Sequence, residues 1–215
     1  MEEKDIKERI LKGAMELFLK YGVRSVSMDD IARHLSVSKK TLYQYFADKD
    51  EIVSTVAEYH LRGEQEQYDS LRASAENAID ELVKISTCIK RGVERMNPSL
   101  LFDLQKYHPR AWSAWLAHKQ QYIGHSVIRN LKQGIAEGYF RSEINTDILA
   151  TARLELVQLS FDEQVFPKDK YSLAEVNMQL FDHFVYGVLT DKGRKAYEKY
   201  KQQLAANLEL STPIL

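Results

Sequence analysis

The sequence predicts an all-α protein, and three observations predict it. Apolar residues recur at three- and four-residue spacing along most of the 215-residue chain, as one buried helix face requires. Only 4 prolines and 9 glycines punctuate it. No convincing stretch shows the period-two alternation of a half-buried strand. With 44% hydrophobic and 28% charged residues, the composition is that of a globular soluble chain large enough for one or two domains.

The first helix carries Ile6, Ile10, Ala14, Leu17, Phe18 and Tyr21 on one stripe and stops at Gly22, a residue suited to a left-handed C-terminal turn. It should brace the pair that follows. Ser27 can N-cap a second helix, with Asp30 answering it in a capping box and Ile31, Ala32 and Leu35 forming the buried stripe. Ser36-Val37-Ser38 supplies a tight turn, in which Val37 pins two crossed helices and Ser38 caps the next. In that third helix Leu42 and Phe46 face the core, which leaves Lys39, Lys40, Thr41, Tyr43, Gln44 and Tyr45 for the outside and flanks.

Two crossed helices with such a polar face describe a helix-turn-helix, and the face suits a major groove. Gln44 can bond bidentately to an adenine edge, a lysine to a guanine edge or a phosphate, Thr41 can touch a thymine methyl, and the tyrosine hydroxyls reach backbone oxygens. Plainer readings stand beside these: Lys39 and Lys40 as solvated charges, and Tyr45 as a cover for the core next to Phe46. The net charge of -1 does not advertise a nucleic-acid partner, so the electrostatic argument is local: from Arg24 to Lys49 there are five basic residues against three acidic ones.

Gly22-Val23 through Ile52, above all T-L-Y-x-Y-F at Thr41 to Phe46 followed by Asp48-Lys49-Asp50-Glu51, closely resembles the TetR family of transcriptional regulators. The resemblance implies a helical homodimer. Its N-terminal helix-turn-helix would bind a palindromic operator in double-stranded DNA, and its larger C-terminal domain a small-molecule inducer. Carried over residue by residue, Ser38, Lys39, Lys40, Thr41, Tyr43, Gln44, Tyr45 and Lys49 form the expected DNA-contacting set, with Lys49 on a backbone phosphate. Two positions depart from the pattern: Ser36 stands where Gly or Ala is usual, and Lys40 where a small residue or Pro is frequent. The expected division is residues 1–48 for the DNA-binding domain and 49–215 for the ligand-binding and dimerisation domain.

Asp48 with Glu51 opens a fourth helix through Ile52, Val53 and Val56, which turns polar at Glu64-Gln65-Glu66-Gln67 and is expected to link the domains. Ile79, Leu82, Val83, Ser86, Ile89 and Val93 mark a fifth helix ending near Asn97-Pro98, and Ser99 to Tyr107 a shorter one closed by His108-Pro109. A long helix is expected from about Arg110 to Glu137, stopped by Gly138. Asn145 or Thr146 then caps a helix running to Phe166 and Pro167, and Ser172 with Glu175 caps a last one through Leu189. In the family the corresponding last pair of helices forms a four-helix bundle across a two-fold axis.

Between Met96 and Tyr122 aromatic residues concentrate. Phe102, Tyr107, Trp112, Trp115, His118 and Tyr122 either line a cavity or pack as ordinary core. An apolar or aromatic inducer would fit them best, with Arg153, Gln158 or His118 as polar anchors. No cofactor, metal or catalytic role is expected, because phosphate-binding, nucleophile-elbow and zinc motifs are absent, and His118 and His125 lie two turns apart with no carboxylate between. The single Cys88 cannot form an intramolecular disulfide and sits on an apolar stripe. With an acidic start at Met1-Glu2-Glu3-Lys4-Asp5 and no apolar run of membrane-spanning length, a cytoplasmic protein without membrane contact is expected. Two alternatives remain on the same fold: a transcriptional activator, and a helical small-molecule carrier without operator binding.

Overall fold

Helices joined by short turns account for nearly all of the described chain, as expected, with one isolated antiparallel bridge between Phe140 and Leu189. The structure, a computed structural model, describes the backbone of residues 3–210 and the side chains of residues 5–204. Met1 and Glu2 of the acidic start and residues 211–215 of the expected second domain lie outside the described residues.

Helix α1 (Glu3–Tyr21) buries Ile10, Ala14 and Phe18 and ends where Gly22 turns left-handed at φ 79°. In α2 (Met28–Leu35) the capping box is complete: the Asp30 amide donates to Ser27 Oγ at 3.2 Å and the Ser27 amide to Asp30 Oδ2 at 2.9 Å. Helix α3 (Lys39–Tyr45) is capped by Ser38, whose Oγ accepts from the Thr41 amide at 3.0 Å. Asp48 opens α4 (Lys49–Ala73) by accepting from the Glu51 amide at 2.8 Å, and Glu51 reaches back to the Ala47 amide at 2.6 Å. Leu42, Phe46, Ile52, Val53 and Val56 join the α1 stripe in a single core, so the first turns of α4 pack as part of the head.

That core runs on into α6 (Leu100–Tyr107) and α7 (Pro109–Ala117) through Leu100, Leu104, Ala111 and Trp115. Polar ties reinforce it: the Asn97 amide donates to Leu19 O at 2.6 Å, the Arg24 amide to Asp103 Oδ2 at 3.2 Å, and His108 Nδ1 lies 2.8 Å from Asp50 Oδ1. A second core joins α5 (Ala78–Glu94), α8 (Gly124–Ala136), α10 (Leu173–Val188) and α11 (Asp191–Leu210) around Phe181, Val185 and Tyr197.

Three expectations about the second half need correction. The long helix from Arg110 is not uniform, because residues His118–Ile123 form a π-helical segment between α7 and α8. Its widened turn lets Lys119 face α9 (Thr146–Leu159), where Nζ meets Glu155 at 3.1 Å and Gln158 at 2.6 Å, while Tyr122 faces α4 and bonds Asp69 at 3.0 Å. The helix expected to reach Phe166 stops at Leu159: Ser160 Oγ donates to Val157 O at 2.7 Å, and Asp162 Oδ1 accepts from the Gln164 amide at 2.8 Å, an Asx turn that competes with the helix. Finally, α10 is not the last helix. Thr190 Oγ1 accepts from the Gly193 amide at 3.1 Å and starts α11, a mostly polar helix docked on α5 by Tyr197 and Tyr200.

Candidate nucleic-acid interface and ligand cavity

The turn between α2 and α3 is closed by backbone bonds, from Ser36 N to Arg33 O at 3.2 Å and from Val37 N to Ala32 O at 3.0 Å. Both require Ser36 to be left-handed, at φ 55°, the one non-glycine residue with positive φ among the described residues. Ser36 therefore does what Gly would do more cheaply. Arg9 on α1 holds the same junction, donating from Nη2 to Leu35 O at 2.6 Å.

With Leu42 and Phe46 fully buried, α3 is rolled so that Lys40, Tyr43 and Gln44 are exposed, Tyr43 at 48%. Ser38 Oγ and Thr41 Oγ1 bond each other at 2.8 Å, which fixes both hydroxyls at the start of the helix. Tyr45 is half-buried and packs against the core, so it divides its surface between packing and solvent. Lys39 pairs with Asp29 on α2 at 3.0 Å, which raises its pKa through that hydrogen bond, whereas Lys40 has no charged partner among the described residues. Lys49 donates to Val23 O at 2.7 Å, tying the first turn of α4 to the loop after α1. Partial burial pushes its pKa down, opposed by Asp103 and Asp30.

Between α4, α5 and the helices that follow lies a cavity of about 1220 Å³. Of the aromatic and polar residues expected to line it, Trp115, Tyr122 and Arg153 do so. The others sit elsewhere. Phe102 is 52% exposed beneath the Lys106 ammonium, Tyr107 lies on the surface between Arg24 and Lys106, and Trp112 packs against the head core. His118 stacks on Tyr122 with centroids 5.1 Å apart, and Gln158 is engaged by Lys119. Spacing along one sequence window could not separate these, because α6 and α7 are short and turn different faces to the head, the surface and the cavity.

Lining residues that the sequence reading did not assign to the cavity include Tyr59, His60, Glu64 and Tyr68 on α4 and Asn177, Phe181 and Phe184 on α10. A signal existed, since His60, Glu64 and Tyr68 repeat every four residues and so share a helix face. Tyr68 donates to Glu64 Oε1 at 2.8 Å, and burial raises its pKa far above the usual phenol range. Asn177 donates to Ser160 Oγ at 3.1 Å but its Oδ1 is buried without a donor, and Trp115 Nε1 is buried without an acceptor. Cys88 also lines the space, its thiol pKa raised by burial, so it is a poor nucleophile. No group of three metal-ligating side chains occurs among the described residues, and none of their helices is long and apolar enough to cross a membrane.

The family model described as bacterial regulatory proteins, tetR family, matches residues 10–56, the span from α1 into α4. Over 187 residues the chain is 27% identical to the uncharacterized HTH-type transcriptional regulator YvaF of Bacillus subtilis, covering 86% of this chain and 96% of that one. It is 22% identical over 143 residues to the HTH-type transcriptional repressor KstR2 of Mycobacterium tuberculosis, covering 65% and 72%. Among solved structures, reduced NemR of Escherichia coli superposes with a TM-score of 0.71 at 15% identity, covering 86% of this chain and 98% of that one. A regulator from Saccharomonospora viridis in complex with choline superposes with a TM-score of 0.69 at 18% identity, covering 87% and 100%. A capped, two-helix head on a larger helical body is thus similar by sequence, at the head, to the tetR family of bacterial regulatory proteins, and by fold, over nearly the whole length, to solved TetR-family regulators.

Proposed function

We propose that the protein is a ligand-responsive repressor: a homodimer that binds a palindromic operator with the exposed face of α3 and leaves it when a small molecule fills the cavity. The observation that carries this reading is the double membership of α4. Its first turns lie in the head core through Ile52, Val53 and Val56, and its later turns wall the cavity through Tyr59, Glu64 and Tyr68. A ligand that displaces this wall displaces the head on the same rod. Two heads must reach grooves about one DNA turn apart, so a shift of a few ångströms disfavours simultaneous docking and moves the population towards the free dimer.

A two-fold partner fits the face of α9. Ile148 is 65% exposed, and Leu149, Leu156 and Leu159 are only half-buried within one chain. A second copy is the natural cover for these residues, because a symmetric interface matches a symmetric operator. The similar regulator solved with choline supports a small-molecule effector.

The test is selection of genomic fragments by the purified protein, followed by titration of the recovered fragment with and without candidate effectors. The reading predicts one protected palindrome per dimer and higher expression of the adjacent gene when this one is deleted. Lower expression on deletion would indicate activation. Failure to retain any fragment in low salt would leave only a carrier.

A further inference from the structure

Among the described residues, the cavity wall carries one buried charge that the fold leaves unanswered. Arg153 on α9 is only 4% exposed, and no described residue gives its guanidinium a hydrogen-bond acceptor or a carboxylate. The group lies 5.0 Å from the centre of the Phe181 ring and 6.0 Å from that of Phe184, both of which line the cavity with it. Ring faces attract the charge but accept none of its N–H bonds. The other buried cation among the described residues is treated differently: Lys119 meets Glu155 and Gln158. Burial pushes the Arg153 pKa down to about 10, which leaves it charged at neutral pH.

A buried, unpaired guanidinium is costly to a fold, and it becomes favourable when an anion completes it. The cavity's acidic groups do not serve, since Glu64 accepts from Tyr68, Glu81 is paired with Arg129, Asp69 with Arg72 and Tyr122, and Glu8 with Lys12, while Glu66 is exposed. We propose that Arg153 is the counter-ion for the effector, and that the cavity takes an amphipathic carboxylate: an apolar or aromatic body along Phe181, Phe184 and Trp115, with its carboxylate forked onto Arg153. A monoanion is favoured over a phosphate ester because the guanidinium among the rings matches one carboxylate bidentately, while the cavity's other cations are either held by carboxylates, as Arg72, Lys84 and Arg129 are, or exposed, as Arg62, Arg91 and Arg95 are. This inference rests on the reading of the cavity as the effector site.

The test titrates the full-length protein by calorimetry with two matched sets of ligands: decanoate, decanol and decylammonium, and naphthylacetate, naphthylethanol and naphthylethylammonium. The carboxylate of at least one set should bind about 10- to 100-fold more tightly than its alcohol, with the ammonium weakest. In Arg153→Met the carboxylate should fall to the affinity of the alcohol while the alcohol is unchanged. Arg153→Lys, which keeps charge but not the fork, should retain part of the preference and guards against a folding defect. Without ligand, Arg153→Met should melt at the same or a higher temperature than wild type.

Equal affinities across a set in wild type, no carboxylate binding at all, or a preference that survives Arg153→Met would overturn the assignment. Operator binding measured on the same preparation separates the two readings. If it is intact while the carboxylate preference is missing, only the anion assignment falls; if the wild-type protein binds no operator, the regulatory reading falls and takes the assignment with it.

Discussion

At the scale of single residues, α3 on the proposed operator would separate contacts that hold DNA from contacts that read it. Lys40 is exposed and free of carboxylates, so its ammonium is available to phosphate; Gln44, one turn further on, is exposed too, and its amide could read an edge in the proposed complex. Lys40→Ala should weaken binding uniformly across sequences and lower the salt slope by about 1, whereas Gln44→Ala should alter base preference at one position per half-site. Binding arrays run at two salt concentrations distinguish these; uniform loss for Gln44→Ala would remove its reading role. The Lys39–Asp29 pair must open or be shared for Lys39 to contact DNA, so Asp29→Asn should increase affinity at low salt.

Ser36 offers a second test at the same scale. Its left-handed backbone, φ 55°, is strained for a residue with a Cβ, so Ser36→Gly should stabilise the protein by roughly 0.5–1 kcal/mol after the freer unfolded chain is subtracted. Chemical denaturation of the two proteins measures it. A loss of stability would mean that the Ser36 side chain does more than turn the corner.

At the scale of elements, α4 would be the transmitting rod of the proposed mechanism, and Gly63 its weak point. A methyl there would meet nothing within 4 Å, so Gly63→Ala should gain about 0.5–1 kcal/mol from helix propensity alone. If α4 carries the signal as a rigid body, operator affinity without ligand should be unchanged and release by ligand sharpened. Stability and release, measured together, show whether bending at Gly63 takes part.

The π-helical segment carries a pH signature. His118 is buried, with Nε2 3.8 Å from Glu64 Oε2, too long for a hydrogen bond, and burial pushes its pKa below the ordinary 6.5 against the opposing pull of Glu64. The unfolded chain then binds the proton more readily than the folded one. Its contribution to stability is full above pH 6.5 and is lost as pH falls through the depressed value. Melting temperatures of wild type and His118→Gln between neutral and mildly acidic pH should show the flatter acid limb in the variant.

Much of the head was legible in the sequence because its signals are local. Ser27 with Asp30, Ser38, Asp48 with Glu51, and Gly22 each act within one helical turn, and each does what its chemistry predicts. The second half was read less well because its breaks depend on distant partners. Nothing near His118 announces the wider turn, which is set by Lys119 reaching Glu155 across to α9. The helix expected to reach Phe166 carried a plausible apolar stripe that the Ser160 and Asp162 turn interrupts, and α11 is too polar to stand out except through Tyr197, Tyr200 and Leu204. Of the cavity, Trp115, Tyr122 and Arg153 were found, but its α4 and α10 walls are far apart in sequence and meet only in the fold.

At the scale of the molecule, head and body are not independent. The head core passes through Leu100 and Leu104 to Trp115, which lines the cavity, and His108 is held to Asp50 at the start of α4. On the proposed function, ligand in the body and DNA on the head would therefore bias the same packed unit, and each should weaken the other's affinity by one common factor.

The most direct measurement of the central claim is the affinity of the purified protein for a selected operator fragment, followed by fluorescence anisotropy across a salt series. The account predicts tight binding in low salt that falls steeply and linearly on logarithmic axes, with a slope reflecting several phosphates per head. Binding that is absent in low salt, or indifferent to it, would contradict the account.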